Sequence, residues 1–195
     1  MKRRQNIIVF IGIMTILLLS ACGPQGIQNG YNSDLEEFTF TDQNHKEFSK
    51  SDLKGKVWIA DFVFTNCTSV CLPMTSNLSD FQGMLKDNGI SDVDIVSFSV
   101  DPELDTPAAL KEYAERFNAD LPSWHFLTGY TQQEIEEFAK KNFKTIVQKP
   151  ANTDQVIHGT KFYLVNKEGQ IVKDYSGVSD VPFEEMMNDI KILQK

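Results

Sequence analysis

The chain is poor in cysteine, with three in 195 residues, too few for the multi-bridge framework that staples small secreted domains. Two of the three form the pair Cys67 and Cys71; there is no second pair and no His-x-x-x-His spacing. A four-ligand structural zinc site therefore lacks its donors. Long apolar runs are also missing: the N-terminal one, Ile7 to Leu19, has thirteen residues, whereas a spanning helix needs about 20. No internal repeat is visible. Basic charge is scarce, 19 Lys and Arg facing 27 Asp and Glu, and beyond residue 4 Arg116 is the sole arginine. That balance argues against nucleic acid or an anionic membrane surface as the main partner and is compatible with a cationic ligand. With 41% hydrophobic and 24% charged residues, the chain fits one globular domain able to bury a core without staples.

The N-terminus differs from the rest. Lys2, Arg3 and Arg4 precede the short apolar run, which ends in Leu19-Ser20-Ala21-Cys22, the order of a signal peptide over residues 1–21. Leu-Ser-Ala-Cys resembles the lipobox of bacterial lipoproteins, and that resemblance implies cleavage before Cys22 and a lipid on its sulfur. The mature protein is then expected to be held by that lipid on the extracytoplasmic face of a bacterial cell membrane. Losing Lys2, Arg3 and Arg4 leaves 16 basic against 27 acidic residues, a formal charge of −11. Residues 22–34, with three Gly, two Gln and two Asn between Gly23 and Asn32, read as a flexible tether, and the folded domain is expected over 35–195. Only Cys67 and Cys71 then remain as thiols, in a compartment that permits disulfides. A tethered monomer is the simplest expectation.

Hydrophobic patterning predicts alternating strands and helices. Phe38-Thr39-Phe40 and Lys46-Glu47-Phe48 flank a turn-like Asp42–His45 segment, predicting an N-terminal hairpin. Val57 to Phe64 is nearly all apolar, the signature of a strand buried on both faces. Met74, Leu78, Phe81 and Leu85 recur at helical spacing up to Asn88-Gly89. Val93 to Val100 reads as a second core strand, and Thr106-Pro107 opens a helix. Trp124 to Leu127 reads as a third strand, before a Thr131/Glu134 capping box. Thr160–Val165 and Gln170–Tyr175 form a closing hairpin, and a last helix starts at Pro182. This order predicts an α/β domain with a thioredoxin-like fold: a mixed central sheet flanked by helices on both faces, plus the extra N-terminal hairpin.

The chemistry concentrates at Cys67-Thr68-Ser69-Val70-Cys71, where the buried strand gives way to a helix. Free N–H groups and the positive dipole end there favour thiolates. If both cysteines lie in the first helical turn, their i, i+4 spacing puts the sulfurs on one face. A disulfide closing so short a loop constrains little of the unfolded chain, so a reactive or metal-binding role explains the placement better. Two thiolates and an imidazole suit Cu(I), and with an added oxygen also Cu(II). Of the three histidines, His158 lies in the loop before a strand, where a ligand can project. His125 sits in an apolar strand and fits packing, and His45 falls in a turn and fits solvent.

Phe64-Thr65-Asn66-Cys67-Thr68-Ser69-Val70-Cys71, Phe98-Ser99-Val100-Asp101-Pro102-Glu103-Leu104-Asp105-Thr106-Pro107 and His158 before Tyr163-Leu164-Val165 together resemble the Sco/SenC family. These are thioredoxin-like copper proteins that help assemble the CuA centre of cytochrome c oxidase. The resemblance covers roughly Leu35 to the end. It implies that Cys67, Cys71 and His158 are copper ligands for one ion, that Asp101 and Asp105 are a supporting acidic pair, and that the CuA-bearing oxidase subunit is the partner. The family pattern has proline directly after each cysteine; here Thr68 and Leu72 stand there, and Pro73 and Met74 follow. Met74 starts the apolar stripe, so its core role is preferred over an axial thioether. Three tasks fit such a site: copper delivery, reduction of the target's cysteines by a thiol-disulfide reductase fed by a thiol reductant, and copper or redox sensing. A peroxidase is disfavoured, because Thr65-Asn66-Cys67 is not the Thr-x-x-Cys of peroxiredoxins and Arg116 is the one mature arginine. Enzymatic turnover is not required by any of these residues.

Overall fold

The computed structural model describes residues 26–195; the expected signal peptide over 1–21 and the expected lipidation at Cys22 lie outside them. Strands β1 (Ser33–Asp34), β2 (Thr39–Asp42), β3 (Glu47–Ser49), β4 (Val57–Val63), β5 (Val93–Ser99), β6 (Trp124–Thr128), β9 (Lys161–Val165) and β10 (Gln170–Ser176) form one sheet in the order β1-β10-β9-β4-β5-β6-β2-β3. A separate two-stranded ribbon joins β7 (Val147–Gln148) to β8 (Ile157–His158). Helices α1 (Cys71–Asp87), α2 (Pro107–Arg116), α3 (Gln132–Phe143) and α4 (Phe183–Gln194) complete the fold. Among the described residues no helix is long and apolar enough to cross a membrane.

Strands β4, β5 and β6 run parallel, β9 pairs antiparallel with β4 and β10 antiparallel with β9, so the sheet is mixed as predicted. Every residue of β4 and β5 is buried, as a strand covered on both faces requires. On one face α1 meets α4 through stacked Phe81 and Phe183, and meets α2 through a Thr75–Tyr113 hydroxyl pair at 2.7 Å. On the other face α3 places Phe138 and Phe143 against Phe98 and Phe62. The hairpin β2–β3 closes that side with Phe38 and Phe40 against Phe138.

Local signals account for the helix boundaries. Thr106 caps α2 by accepting from the Ala109 N–H, with Pro107 at the first helical position, where its missing donor costs nothing. Thr131 and Glu134 form the reciprocal capping box that starts α3. Helix α1 stops at Gly89, whose φ of 67° suits a residue without Cβ. Two features lay outside the sequence reading. Pairing begins ahead of Leu35, since Tyr31 N donates to Val172 O and Ser33–Asp34 pairs with β10. The β7–β8 ribbon was also unforeseen, and it positions one of the site residues.

Candidate metal centre

The carboxyl edge of the parallel strands carries the site. Strand β4 ends at Val63, and the chain turns out of the sheet through Thr65, whose N–H and hydroxyl both donate to Asp105 Oδ1 at 3.1 and 2.6 Å. Cys67 follows in a turn closed by its N–H to Phe64 O at 3.3 Å. Of the two cysteines only Cys71 is helical, so the condition of a shared helical turn is not met. Helix α1 begins there, with Val70 as N-cap and no side-chain cap from it. The Cys71 N–H instead donates to Cys67 Sγ at 3.4 Å. The sulfur thus satisfies a donor that a helix N-terminus leaves free and sits at the positive end of the helix dipole. Cys71 is fully buried and Cys67 nearly so, and among the described residues neither is in a disulfide. Met74 is fully buried in the α1 stripe with Leu78 and Phe81, which is the core role.

His158 arrives from the ribbon, where it pairs with Val147. Its Nδ1 lies 2.9 Å from Gly159 O; a carbonyl only accepts, so Nδ1 carries a proton and Nε2 is the ring nitrogen turned toward the cysteines. That Nε2 is 3.2 Å from Cys71 Sγ, and the ring edge meets Phe64 at 5.8 Å between centroids. Gly159 is required there, because a Cβ would collide with Thr145 Oγ1. Cys67 Sγ, Cys71 Sγ and a His158 ring nitrogen all lie within 4.8 Å of one another.

The two thiols are driven apart in acidity. The hydrogen bond from Cys71 brings Cys67 down to about 3, against an opposing effect of burial and with further help from His158 and the Ser69 and Cys71 backbone. Cys71 is pushed well above the ordinary thiol range, first because its proton serves Cys67 and then because it is buried. The pair is split in this way, Cys67 favoured as thiolate and Cys71 as thiol. Asp61, in the middle of β4 and almost fully buried, accepts from Ser97 Oγ at 2.5 Å. Burial lifts its carboxyl to about 7, with Ser97 and His158 opposing.

The acidic pair is close to the site and outside the donor cluster. Asp105, fully buried, accepts from Thr65 and from Ser99 Oγ at 2.6 Å, so it shapes the loop that leads to Cys67. Asp101, also fully buried, accepts from Lys149 Nζ at 2.7 Å through Oδ1, while its Oδ2 has no partner among the described residues. Lys149 also binds Glu103 at 2.9 Å and lies on the segment between β7 and β8, so Asp101 anchors the route to His158. His125 is stacked on Phe48 at 4.2 Å, and burial holds its imidazole below the ordinary range; it is a packed residue. His45 is exposed in the β2–β3 turn with φ of 60°. Sequence reasoning missed Asp61, Lys149 and Gln155. Only Asp61 had a visible signal, a charge inside an apolar run.

The family model described as SCO1/SenC matches residues 28–194. The chain belongs to the SCO1/SenC family. This SCO1/SenC protein is 50% identical over 178 residues to the SCO1 protein homolog of Bacillus subtilis (strain 168), covering 91% of this chain and 92% of the relative. Its fold is similar to a SCO1/SenC family lipoprotein from Bacillus anthracis str. Ames, with a TM-score of 0.84 and 48% identity over 87% of this chain and 100% of that one. BsSco, described as carrying a disulfide switch and as a member of the Sco family of cytochrome c oxidase assembly proteins, superposes with a TM-score of 0.81 and 49% identity over 88% and 99%. ScoI of Bradyrhizobium japonicum, solved with copper bound, gives 0.67 and 28% identity over 83% and 99%. The thioredoxin-like architecture expected from the element order is the architecture of these neighbours.

Proposed function

We propose that this SCO1/SenC protein binds one copper ion through Cys67, Cys71 and His158 and delivers it to the CuA-bearing subunit of cytochrome c oxidase. On this reading it acts from a lipid on Cys22, at the extracytoplasmic face of a bacterial cell membrane. The observation that carries the reading is the convergence of two unbridged sulfurs and an imidazole within 4.8 Å. The donors fit copper: thiolate and imidazole are the ligands that soft copper selects, and three of them leave structural zinc one donor short. Ligands bind metal deprotonated. Cys67 is held toward the thiolate by its surroundings and Cys71 toward the thiol, so uptake displaces mainly the Cys71 proton. Copper held by thiolates can pass to incoming thiolates of a partner by stepwise ligand exchange. Leu72 and Ile157, exposed apolar residues directly beside Cys71 and His158, support a protein partner. The copper-bound ScoI relative and the oxidase-assembly role described for BsSco support the same task, and the lipoprotein relative from Bacillus anthracis supports the anchor.

The raised acidity of Cys67 favours a second reading, thiol-disulfide reduction. The Cys67 thiolate attacks a target disulfide and releases one target thiolate. The Cys71 thiol passes its proton to that released thiolate and attacks Cys67 Sγ of the mixed disulfide, displacing the second target sulfur as a thiolate that takes a proton from water; a Cys67–Cys71 disulfide and a dithiol target result. A thiol reductant must restore the pair. Complementation of an assembly-deficient strain separates the two readings. Delivery predicts that Cys67→Ser, Cys71→Ser and His158→Ala all fail at limiting copper, whereas restored oxidase activity with His158→Ala alone would favour reduction.

A further inference from the structure

The three donors come from supports of unequal rigidity. Cys71 is fixed in the first turn of a 17-residue helix. Cys67 arrives on an irregular turn and His158 on a two-residue strand behind an irregular loop, and among the described residues no backbone hydrogen bond joins residues 66–68 to residues 154–155. Side chains make that connection. Gln155 Nε2 donates to Asn66 O at 3.0 Å. Its Oε1 accepts from Thr68 N at 3.3 Å and from Thr68 Oγ1 at 3.2 Å. Asn66 Nδ2 adds a bond to Asp154 Oδ2 at 3.2 Å. Asn66 O only accepts and Thr68 N only donates, so the carboxamide orientation is fixed by its surroundings.

Those partners are the residues immediately before and after Cys67, and Gln155 itself lies three residues before His158. We propose that Gln155 is a positioning residue of the metal centre: its carboxamide brackets Cys67 and ties it to the segment carrying His158, so that the two move as one ligand pair relative to Cys71. The inference rests on the copper reading for its purpose, but its geometry stands independently of the metal. A glutamine suits this place because one side chain must donate and accept at once. Gln155→Glu loses the donor to Asn66 O and sets a carboxylate against that carbonyl, so it breaks the bracket while keeping side-chain length.

The test compares wild type, Gln155→Ala and Gln155→Glu in the reduced, metal-free state and then with Cu(I). In the metal-free state, Thr68 amide exchange by NMR is expected to accelerate about three- to tenfold in Gln155→Ala, the scale of one or two lost solvated hydrogen bonds, and by a smaller factor in Gln155→Glu, whose carboxylate still accepts from Thr68. Alkylation of Cys67 by iodoacetamide, mapped by mass spectrometry, is expected to rise while Cys71 stays protected. Chelator competition is expected to show Cu(I) affinity falling by a similar factor at unchanged stoichiometry, with the urea midpoint unchanged. Wild-type Thr68 exchange and Cys67 alkylation in both variants would overturn the inference. So would a fall in the urea midpoint large enough to account for the whole change. A wild type that takes up no Cu(I) would defeat the copper reading alone, and the exchange and alkylation results would still decide the role of Gln155.

Discussion

Replacing Asp105 discriminates between a carboxylate that shapes the cysteine loop and one that touches the metal. In Asp105→Ala three buried or part-buried donors lose their acceptor: the Thr65 N–H, the Thr65 hydroxyl and the Ser99 hydroxyl. An unsatisfied buried donor costs about 1–3 kcal/mol. Two of these are hydroxyls that can rotate toward other acceptors, and loss of the carboxylate also removes the burial cost that raises its pKa. The net loss is therefore about 2–4 kcal/mol. Asp105→Asn keeps an acceptor for Thr65 and can donate its amide to Ser99 Oγ, so its cost is within about 1 kcal/mol. Urea unfolding of the reduced protein, read with matched m-values, measures both. Copper affinity should follow the loop: a loss of about 10- to 100-fold for Ala, the range of outer-shell changes, and a small change for Asn. Complete loss of copper binding by a well-folded Asp105→Asn would refute this reasoning and make the carboxylate a ligand. Wild-type stability of Asp105→Ala would refute the loop-shaping role.

Other perturbations test the surroundings. Asp61 titrates near 7 in the folded state against an ordinary 3.8, so the folded protein holds this proton more tightly than the unfolded chain. Its contribution to stability is full below about pH 4 and is lost as pH rises through about 7, a change of about 4 kcal/mol at most. Asp61→Asn should flatten the stability–pH profile across that window, and an unchanged profile would contradict the assignment. Lys149→Met leaves fully buried Asp101 without its cation, and removing one partner of such a pair costs about 3–5 kcal/mol when both are buried. Because Lys149 is about one-fifth exposed, about 2–3 kcal/mol is expected in urea unfolding. Lys149→Met with Asp101→Asn should recover part of that loss, and failure to recover it would remove the ion pair as the cause.

Much of the fold was legible because its signals are local. The continuous apolar run of β4, the Thr131/Glu134 box and the Thr106-Pro107 start each dictate structure within a few residues, and each appears where expected. The cysteine pair was legible as reactive, but not the way it is held. A helical i, i+4 face was the natural expectation from the spacing. In the structure Cys67 stays outside the helix and uses its sulfur as the acceptor that Val70 cannot supply. His158 was harder still. The ribbon that presents it has two residues per strand, too short for any period-2 pattern to register. Lys149 and Gln155 lie in a polar loop, where a residue's role is set by tertiary partners more than 45 positions away and leaves no periodic trace. Asp61 did leave one, as a carboxylate in a strand buried on both faces.

The central claim is that two sulfurs and one imidazole form a single copper site. Copper titration of the reduced protein, followed by absorption and compared with His158→Ala, tests it most directly. The account predicts one copper per chain, a thiolate-to-Cu(II) charge-transfer band in the wild type, and a weakened, spectrally altered complex in the variant. Equal affinity and an identical band in wild type and His158→Ala would contradict it.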